Sequence, residues 1–359
     1  MLHALIMAGG GGTRFWPRSR QQKPKQFLTL VGTLSLLQQA LERIEVLVPP
    51  ARTWIITGAS YCAETARQLP TLPPERIIGE PCGRDTAACI GLGAALIARD
   101  DPEGVMLVMP ADHVIEPTQE FRRAALVAEQ MALEYPSALV TFGIVPSFAA
   151  TGYGYIERGA ELTRRQGIPV FRVDSIHEKP RIELAEQFVA SGRHFWNSGI
   201  FVWRAATILH ELRAKQPKLA GALERIAAAW DTREADEILT QEYAGLDKIS
   251  IDYAVMEKAA QVLMVQAPFL WDDVGSWLAL ERRHPQDAAD NTILANHLGI
   301  DTHNCVIAGD GGRLIATVGV SDLIIIQDGD AILVAHRQVE GNIKNLVEQL
   351  KERGLEQYL

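Results

Sequence analysis

Ala4-Leu5-Ile6-Met7-Ala8-Gly9-Gly10-Gly11-Gly12-Thr13-Arg14-Phe15-Trp16-Pro17 lies near the start of the chain, and its reading decides the fold. An apolar run that breaks into four glycines and then an arginine describes a strand ending in a phosphate-binding loop. Glycine accepts positive φ and lets backbone N–H groups converge on one anion with no Cβ in the way. Arg14, Arg18, Arg20, Lys23 and Lys25 follow, and no Asp or Glu occurs before Glu42. The net charge is −9, so these five positive charges leave −14 for the remainder. An acidic chain with a basic first loop suits a small polyanion and argues against nucleic acid or a membrane surface as partner. Glycines after a strand also make ordinary turns, and charge clusters also make solvated faces. On these residues alone both readings stay open. Two phosphate motifs are excluded. Thr13-Arg14 stands where a P-loop needs Lys-Ser/Thr. Pro17 and Pro24 interrupt the helix that a dinucleotide fingerprint requires.

Outward from that loop, strand-like and helical runs alternate up to about residue 145. Leu34, Leu37, Leu41, Ile44 and Val48 mark one face of a helix beginning near Thr33. Trp54-Ile55-Ile56-Thr57, Val105 to Met109 and Ala138 to Ile144 read as strands. Asp85-Thr86 opens an alanine-rich helix running to Arg99, and Pro117 opens another. This alternation predicts a mostly parallel sheet covered on both faces, with ligands at the carboxyl ends of its strands. Gly9 to Arg14 and Pro110-Ala111-Asp112-His113 both sit there. From 150 to 285 the pattern is mixed. After Asn291 short β-like runs alternate with turns such as Asp310-Gly311-Gly312, and an amphipathic helix from Val339 to Arg353 closes the chain. A chain of 359 residues exceeds the usual single domain, so we expect domains at 1–287 and 288–359. Cys62, Cys82, Cys89 and Cys305 form no C-x-x-C pair, and the N-terminus has no basic region ahead of an apolar core. Both features, with no apolar run long enough to span a bilayer, lead us to expect a cytoplasmic protein.

Several clusters carry chemistry. Asp112 follows a buried strand at the loop end of the sheet, and Trp271-Asp272-Asp273-Val274-Gly275-Ser276-Trp277 offers a second carboxylate. Two carboxylates converging on phosphates suit Mg²⁺, which takes one or two of them plus substrate oxygens and water. Either carboxylate could equally cap a helix or close a turn. Glu178-Lys179-Pro180 places a lysine at a strand end, stiffened by the proline. Trp196-Asn197-Ser198-Gly199 and Gly152-Tyr153-Gly154-Tyr155 combine ring surfaces, an amide and close backbone approach, which suit a hydroxylated ring and are also common in loops.

Taken together these segments resemble the mannose-1-phosphate guanylyltransferases, the GDP-mannose pyrophosphorylases of the sugar-nucleotidyltransferase superfamily. The resemblance rests on the Gly9–Arg20 run with Lys23-Pro24-Lys25-Gln26-Phe27, then Gly83-Arg84-Asp85-Thr86-Ala87 and Pro110 to His113. It continues through Gly152 to Glu157, Glu178 to Pro180, Trp196 to Gly199, Ser250 to Lys258 and Trp271 to Trp277, so it covers essentially the whole chain. Phe15-Trp16 favours the mannose subclass, and Asp85 stands where many members carry Asn. The resemblance implies a Rossmann-like α/β nucleotidyltransferase domain with a mixed sheet, followed by a small β-rich module resembling a left-handed β-helix. It implies transfer of GMP from GTP to mannose 1-phosphate, with Mg²⁺ as cofactor. Carried over residue by residue, Gly9, Gly10, Gly12, Thr13 and Asp85 bind the nucleotide. Arg14 and Lys25 lie on the triphosphate, Lys179 holds the sugar phosphate, and Gly154, Glu178 and Asn197 contact the sugar. Asp112 and Asp273 ligate the metal. A homodimer through the C-terminal module is a further expectation. Two rivals are another nucleotide and hexose 1-phosphate pair, and a non-catalytic subunit that senses a nucleotide sugar.

Overall fold

Strand β1 (Leu2–Ala8) is almost wholly buried, as its apolar run requires, and it anchors the central sheet. Its companions are β2 (Thr53–Gly58), β3 (Ile77–Glu80), β4 (Val105–Pro110), β6 (Leu139–Ile144), β7 (Tyr155–Arg165), β8 (Ile168–His177), β9 (His194–Arg204) and β10 (Val262–Gln266). The computed structural model describes all residues from Met1 to Leu359. Strand order is β3-β2-β1-β4-β9-β6-β10-β8-β7. β1 to β4 are mutually parallel, and β10 runs parallel to β6. β9 enters antiparallel between β4 and β6, while β8 and β7 complete the sheet as an antiparallel pair. The sheet is therefore mixed. Its parallel half comes from the region of strict alternation, and its antiparallel half from the region where the pattern is mixed.

The chain divides into two compact units. The first comprises Met1–Gly9, Ala40–Ala111 and Ile115–Trp271; the second comprises Gly10–Gln39, Asp112–Val114 and Asp272–Leu359. The expected division after residue 287 falls inside the second unit. The short strands β5 (Val114–Glu116) and β11 (Leu270–Asp272) lie where the chain passes from one unit to the other.

In the first unit the helix Asp85–Asp100 is buried continuously from Ala87 to Ile97, because its small residues let neighbours approach. A Cβ on Gly93 would lie 2.6 Å from Leu5 Cδ2, and one on Gly91 would lie 3.1 Å from Leu212 Cδ1. Met106 and Val108 join this helix's cluster, with Leu212 and Leu223 from the helices Ala205–Lys215 and Pro217–Ala229. The helix Thr118–Glu134 packs on β4, β6 and β9 and buries Phe121, Val127 and Met131.

The second unit contains the glycine loop together with the C-terminal β module. β12 (Thr292–Leu294), β14 (Val306–Ala308) and β16 (Leu323–Asp328) stack in parallel, and β17 (Ala331–His336) closes that sheet antiparallel. β13 (Asn296–His303) and β15 (Leu314–Ser321) form a second, parallel pair. Successive short strands stacked in this way make a β-helix. Its inward residues Val306, Ala308, Ile324 and Ile326 share one core with Phe15, Trp16, Leu28, Trp277 and Ile343. The first helix starts at Leu36 rather than near Thr33, and the closing helix runs Ile343–Glu352 after a tight turn over Arg337–Asn342.

Candidate active site

The glycine loop is built by its own anchors. Phe15 is fully buried and closes a short turn in which its N–H donates to the Gly12 carbonyl at 3.0 Å. Ser19 Oγ donates to that same carbonyl at 2.7 Å. Gly12 has φ +55°, and a Cβ there would collide with the Lys25 side chain and lie 3.0 Å from its backbone nitrogen. Glycine is required at this position for conformation and for space.

A cavity of about 380 Å³ opens in the second unit, lined by Gly12, Thr13, Arg14, Phe15, Lys25, Asp112, His113, Asp273, Gly275 and Lys344. Its volume suits a small ligand. Lys25, buried within it, donates to Asp112 Oδ2 and to the Asp273 carbonyl, both at 2.6 Å. Burial by itself would raise the Asp112 carboxyl; Lys25, and His113 with Nε2 at 3.9 Å from Asp112 Oδ1, outweigh it and hold the group below the usual carboxylate range. Gly275 leaves room for the Asp273 carboxylate, since a Cβ there would lie 2.9 Å from Oδ2. Asp272 points elsewhere: it is buried, receives Arg282 Nε at 2.7 Å and Nη2 at 2.9 Å, and accepts the Val274 N–H at 2.8 Å. Asp112 and Asp273 are thus two hard oxygen donors on one polar cavity, a set that fits a divalent cation sharing its remaining positions with phosphate and water.

The early basic cluster divides between two roles. Arg18 donates to the Gly309 carbonyl at 2.9 Å and approaches Asp328 at 3.9 Å. Arg20 pairs with Asp330, so both arginines brace the loop against the β module. Arg14 is exposed, lines the cavity and makes no ion pair. Trp16 is also a structural anchor: its indole Nε1 donates to the Tyr358 carbonyl at 2.8 Å, and Trp277 Nε1 donates to the Trp16 carbonyl at 3.2 Å. Phe15 and Trp277 rings lie 5.1 Å apart. The Phe15-Trp16 pair therefore holds the β module, which is a packing role.

A second polar cluster lies in the first unit. Asn197 stands in β9 beside a bulge, where Thr141 pairs with Phe201 but Gly143 pairs with Asn197. Gly199, with φ +68°, supplies the turn in the bulge. Asn197 Nδ2 donates to Asp252 Oδ1 at 2.8 Å, and its N–H donates to the Gly154 carbonyl at 2.8 Å. Gly154 lets the Glu178 carboxylate approach closely, since a Cβ there would collide with its Oε2 and displace it. Lys179 Nζ pairs with Glu178 Oε1 at 2.9 Å, which raises the lysine above its ordinary value. Its φ of +46° just before Pro180 is a strained setting for a lysine. Burial, then the nearby Glu178 charge, push Asp252 up to about 6. The structure brings Gly154, Glu178, Lys179, Asn197 and Asp252 together.

Three contributors escape a reading of sequence order. Asp252 lies in the short helix Ile251–Ala254, in a motif that also offers Glu257 and Lys258. Lys344 comes from the closing helix, far along the chain from Gly12. Glu80 ends β3, is buried, and accepts the Tyr243 hydroxyl at 3.2 Å. A Cβ on Gly9 would lie 3.9 Å from its Oε2. Burial, with the Asp85 charge, pushes Glu80 up to about 7 although the Tyr243 hydroxyl opposes that shift. Asp85 has φ +67°, and its carboxylate accepts the Thr86 N–H at 2.8 Å. That left-handed backbone is the setting Asn and Asp tolerate best among non-glycine residues.

Residues 3–290 match the nucleotidyl transferase family, and residues 295–350 match the MannoseP isomerase/GMP-like beta-helix domain. Mannose-1-phosphate guanylyltransferase of Escherichia coli (strain K12) is 40% identical over 360 residues, covering 98% of this chain and 74% of the relative. Xanthan biosynthesis protein XanB of Xanthomonas campestris pv. campestris (strain B100) is 38% identical, covering 98% and 73%. The solved mannose-1-phosphate geranyltransferase from Thermus thermophilus superposes with a TM-score of 0.85 at 37% identity, covering 98% of this chain and 99% of that one.

Proposed function

The chain belongs to the mannose-1-phosphate guanylyltransferases of the nucleotidyl transferase family, and from that premise we propose how its residues divide the work. The reaction joins GTP and mannose 1-phosphate into GDP-mannose and pyrophosphate. A phosphate oxygen of the sugar phosphate forms a bond to the α-phosphorus, and the bond from that phosphorus to the β-phosphate bridging oxygen breaks. Pyrophosphate leaves with the electron pair. The nucleophile is already largely ionised at neutral pH, since a phosphate's second pKa is about 6, so no side chain needs to act as general base. The obstacle is repulsion between two polyanions, and catalysis is positioning with charge neutralisation.

Gly9, Gly10, Gly12 and Thr13 hold the nucleotide, with Asp85 at the start of its helix fixing the neighbouring turn. Arg14 neutralises the triphosphate; the observation that carries this reading is an unpaired guanidinium on a cavity that also presents two carboxylates. Lys25 fixes Asp112 and adds positive charge at the same wall. Asp112 and Asp273 hold a divalent cation, Mg²⁺ in our reading, which when bound offsets phosphate charge. Lys179 holds the sugar phosphate, while Gly154, Glu178 and Asn197 receive the sugar hydroxyls, with Asp252 orienting the Asn197 amide. We place the module boundary near residue 288, supported by family matches that end at 290 and begin at 295. Cytoplasmic residence is likewise proposed, from four free cysteines. No helix is long and apolar enough to cross a membrane.

We read the protein as a homodimer. One face of the β13–β15 pair exposes Leu298, Ile300, Leu314 and Val318, an apolar patch that a second copy would cover. The test of function is pyrophosphate release with Mg²⁺, crossing GTP, ATP, UTP and dTTP against mannose, glucose and N-acetylglucosamine 1-phosphates. Turnover confined to GTP with mannose 1-phosphate is expected. Turnover with another pair would overturn the substrate assignment and keep the chemistry; no turnover with any pair would overturn the catalytic reading.

A further inference from the structure

Three strands of the first unit carry a second set of metal-type donors that the reaction does not use. Glu157 on β7 pairs directly with His194 on β9 and with Ser175 on β8. His177 lies two residues beyond Ser175 and pairs with Tyr155. Residues two apart share a face of a sheet, so Glu157, His177 and His194 all stand on one face, next to one another across three neighbouring strands. Their ligand atoms lie within 4.8 Å of one another. Four ligands around Zn²⁺ at about 2.1 Å sit roughly 3.4 Å apart, so side-chain rotations of about an ångström would bring these three into coordination range.

The surroundings hold the donors in place. Phe188 stacks on the His194 ring at 4.0 Å between centroids, and lies 5.1 Å from the His177 ring. Ser191 Oγ bonds His194 Nδ1 at 2.8 Å, and Ser175 Oγ bonds His177 Nε2 at 2.9 Å. Each hydroxyl bonds one nitrogen and orients the ring, as outer partners orient metal-ligating histidines. Ser175 Oγ also donates to Glu157 Oε2 at 2.9 Å. Arg193 pairs with Glu157 at 3.1 Å but has Asp174 at 3.2 Å as an alternative partner, so it can release that carboxylate.

We propose that Glu157, His177 and His194 form a binding site for a borderline divalent cation such as Zn²⁺, with water as fourth ligand, clamping β7, β8 and β9. Two imidazoles and one carboxylate select Zn²⁺ over Mg²⁺, whose preference for six oxygens the Asp112 and Asp273 pair serves instead. The site is independent of the catalytic assignment. It also adjoins it in sequence, since His177 directly precedes Glu178 and Lys179.

The experiment titrates chelator-treated protein with Co²⁺ and reads its visible d–d spectrum, then repeats with Zn²⁺ as competitor. One equivalent should give the intense bands of a four-coordinate, imidazole-bearing ion, displaced by Zn²⁺. His177→Gln and His194→Gln should each weaken binding roughly 100-fold or more, with Glu157→Gln as the shape-preserving variant and circular dichroism verifying that each folds. Asp273→Asn should leave the bands intact, which separates this site from the oxygen-lined cavity. Absence of the bands at one equivalent, or bands that survive both histidine replacements, would overturn the proposal.

Discussion

Arg14 illustrates how much one residue can be asked to do. It is the cavity's unpaired guanidinium, and its role needs only charge and reach. Arg14→Ala should lower kcat on the order of 10²- to 10³-fold, by comparison with the loss of one oxyanion-hole donor, while circular dichroism stays that of the parent. Asp273→Ala should cost a similar factor at saturating GTP and Mg²⁺; near-parental rates in either variant would refute its assignment. Glu80 makes a different prediction. Burial raises its carboxyl to about 7, so the folded protein holds a proton that the unfolded chain releases near pH 4.5. Between those values the folded state binds more protons, and stability must fall as pH rises. Thermal melts from pH 4.5 to 7.5 should show parental Tm declining relative to Glu80→Gln, whose amide stays neutral throughout. A constant difference between the two proteins would show that Glu80 does not titrate in that window.

Among the elements, the closing helix Ile343–Glu352 is the one whose meaning changes most. Its amphipathic pattern is plain in the sequence, and Ile343 packs in the core that holds Phe15 and Trp16. Packing that face against the loop side of the unit puts Lys344, the next residue, on the cavity wall. Lys344→Ala should raise KM for GTP several-fold with little change in kcat, the loss expected of one exposed charge-assisted contact. An unchanged KM would remove the helix from nucleotide binding. β9 makes the complementary point. Trp196 to Gly199 reads locally as a loop because of its asparagine, serine and glycine, yet it continues a strand whose bulge turns the Asn197 amide toward Asp252. Local propensity identified the irregularity; neighbouring strands on both sides decided that it would be a bulge.

At the scale of the whole molecule, the glycine loop and the C-terminal module share a core in the second unit. Val306, Ile324 and Ile326 pack with Phe15, Trp16 and Trp277, and Arg18 and Arg20 fasten the loop to turns of the module. Cutting the chain after residue 287 should expose that core, and we expect an aggregation-prone product without pyrophosphate-releasing activity. A soluble, active 1–287 fragment would contradict this shared-core account. The outward face of β13 and β15 bears on assembly. Leu298→Asp with Val318→Asp should convert a dimer into a monomer by sedimentation or light scattering, with Tm nearly unchanged because both side chains are more than 60% exposed. A parental mass equal to one chain would remove the interface at once.

The sequence by itself determined the parallel half of the sheet, the glycine loop at the end of β1, the β-rich character of the C-terminal region, and the family. Each of these rests on local periodicity, turn chemistry or contiguous motifs, which neighbouring residues suffice to specify. Only the tertiary structure decided which charges were turned toward the cavity. Arg18, Arg20 and Arg14 look alike in a row, but the first two meet groups some 300 residues away while Arg14 lines the cavity. The same holds for Asp272 and Asp273, adjacent carboxylates of which one is locked by Arg282 and the other stands on the cavity wall. A charge serves a ligand when packing turns it toward the cavity instead of into a structural ion pair, and residues far along the chain decide which of the two happens.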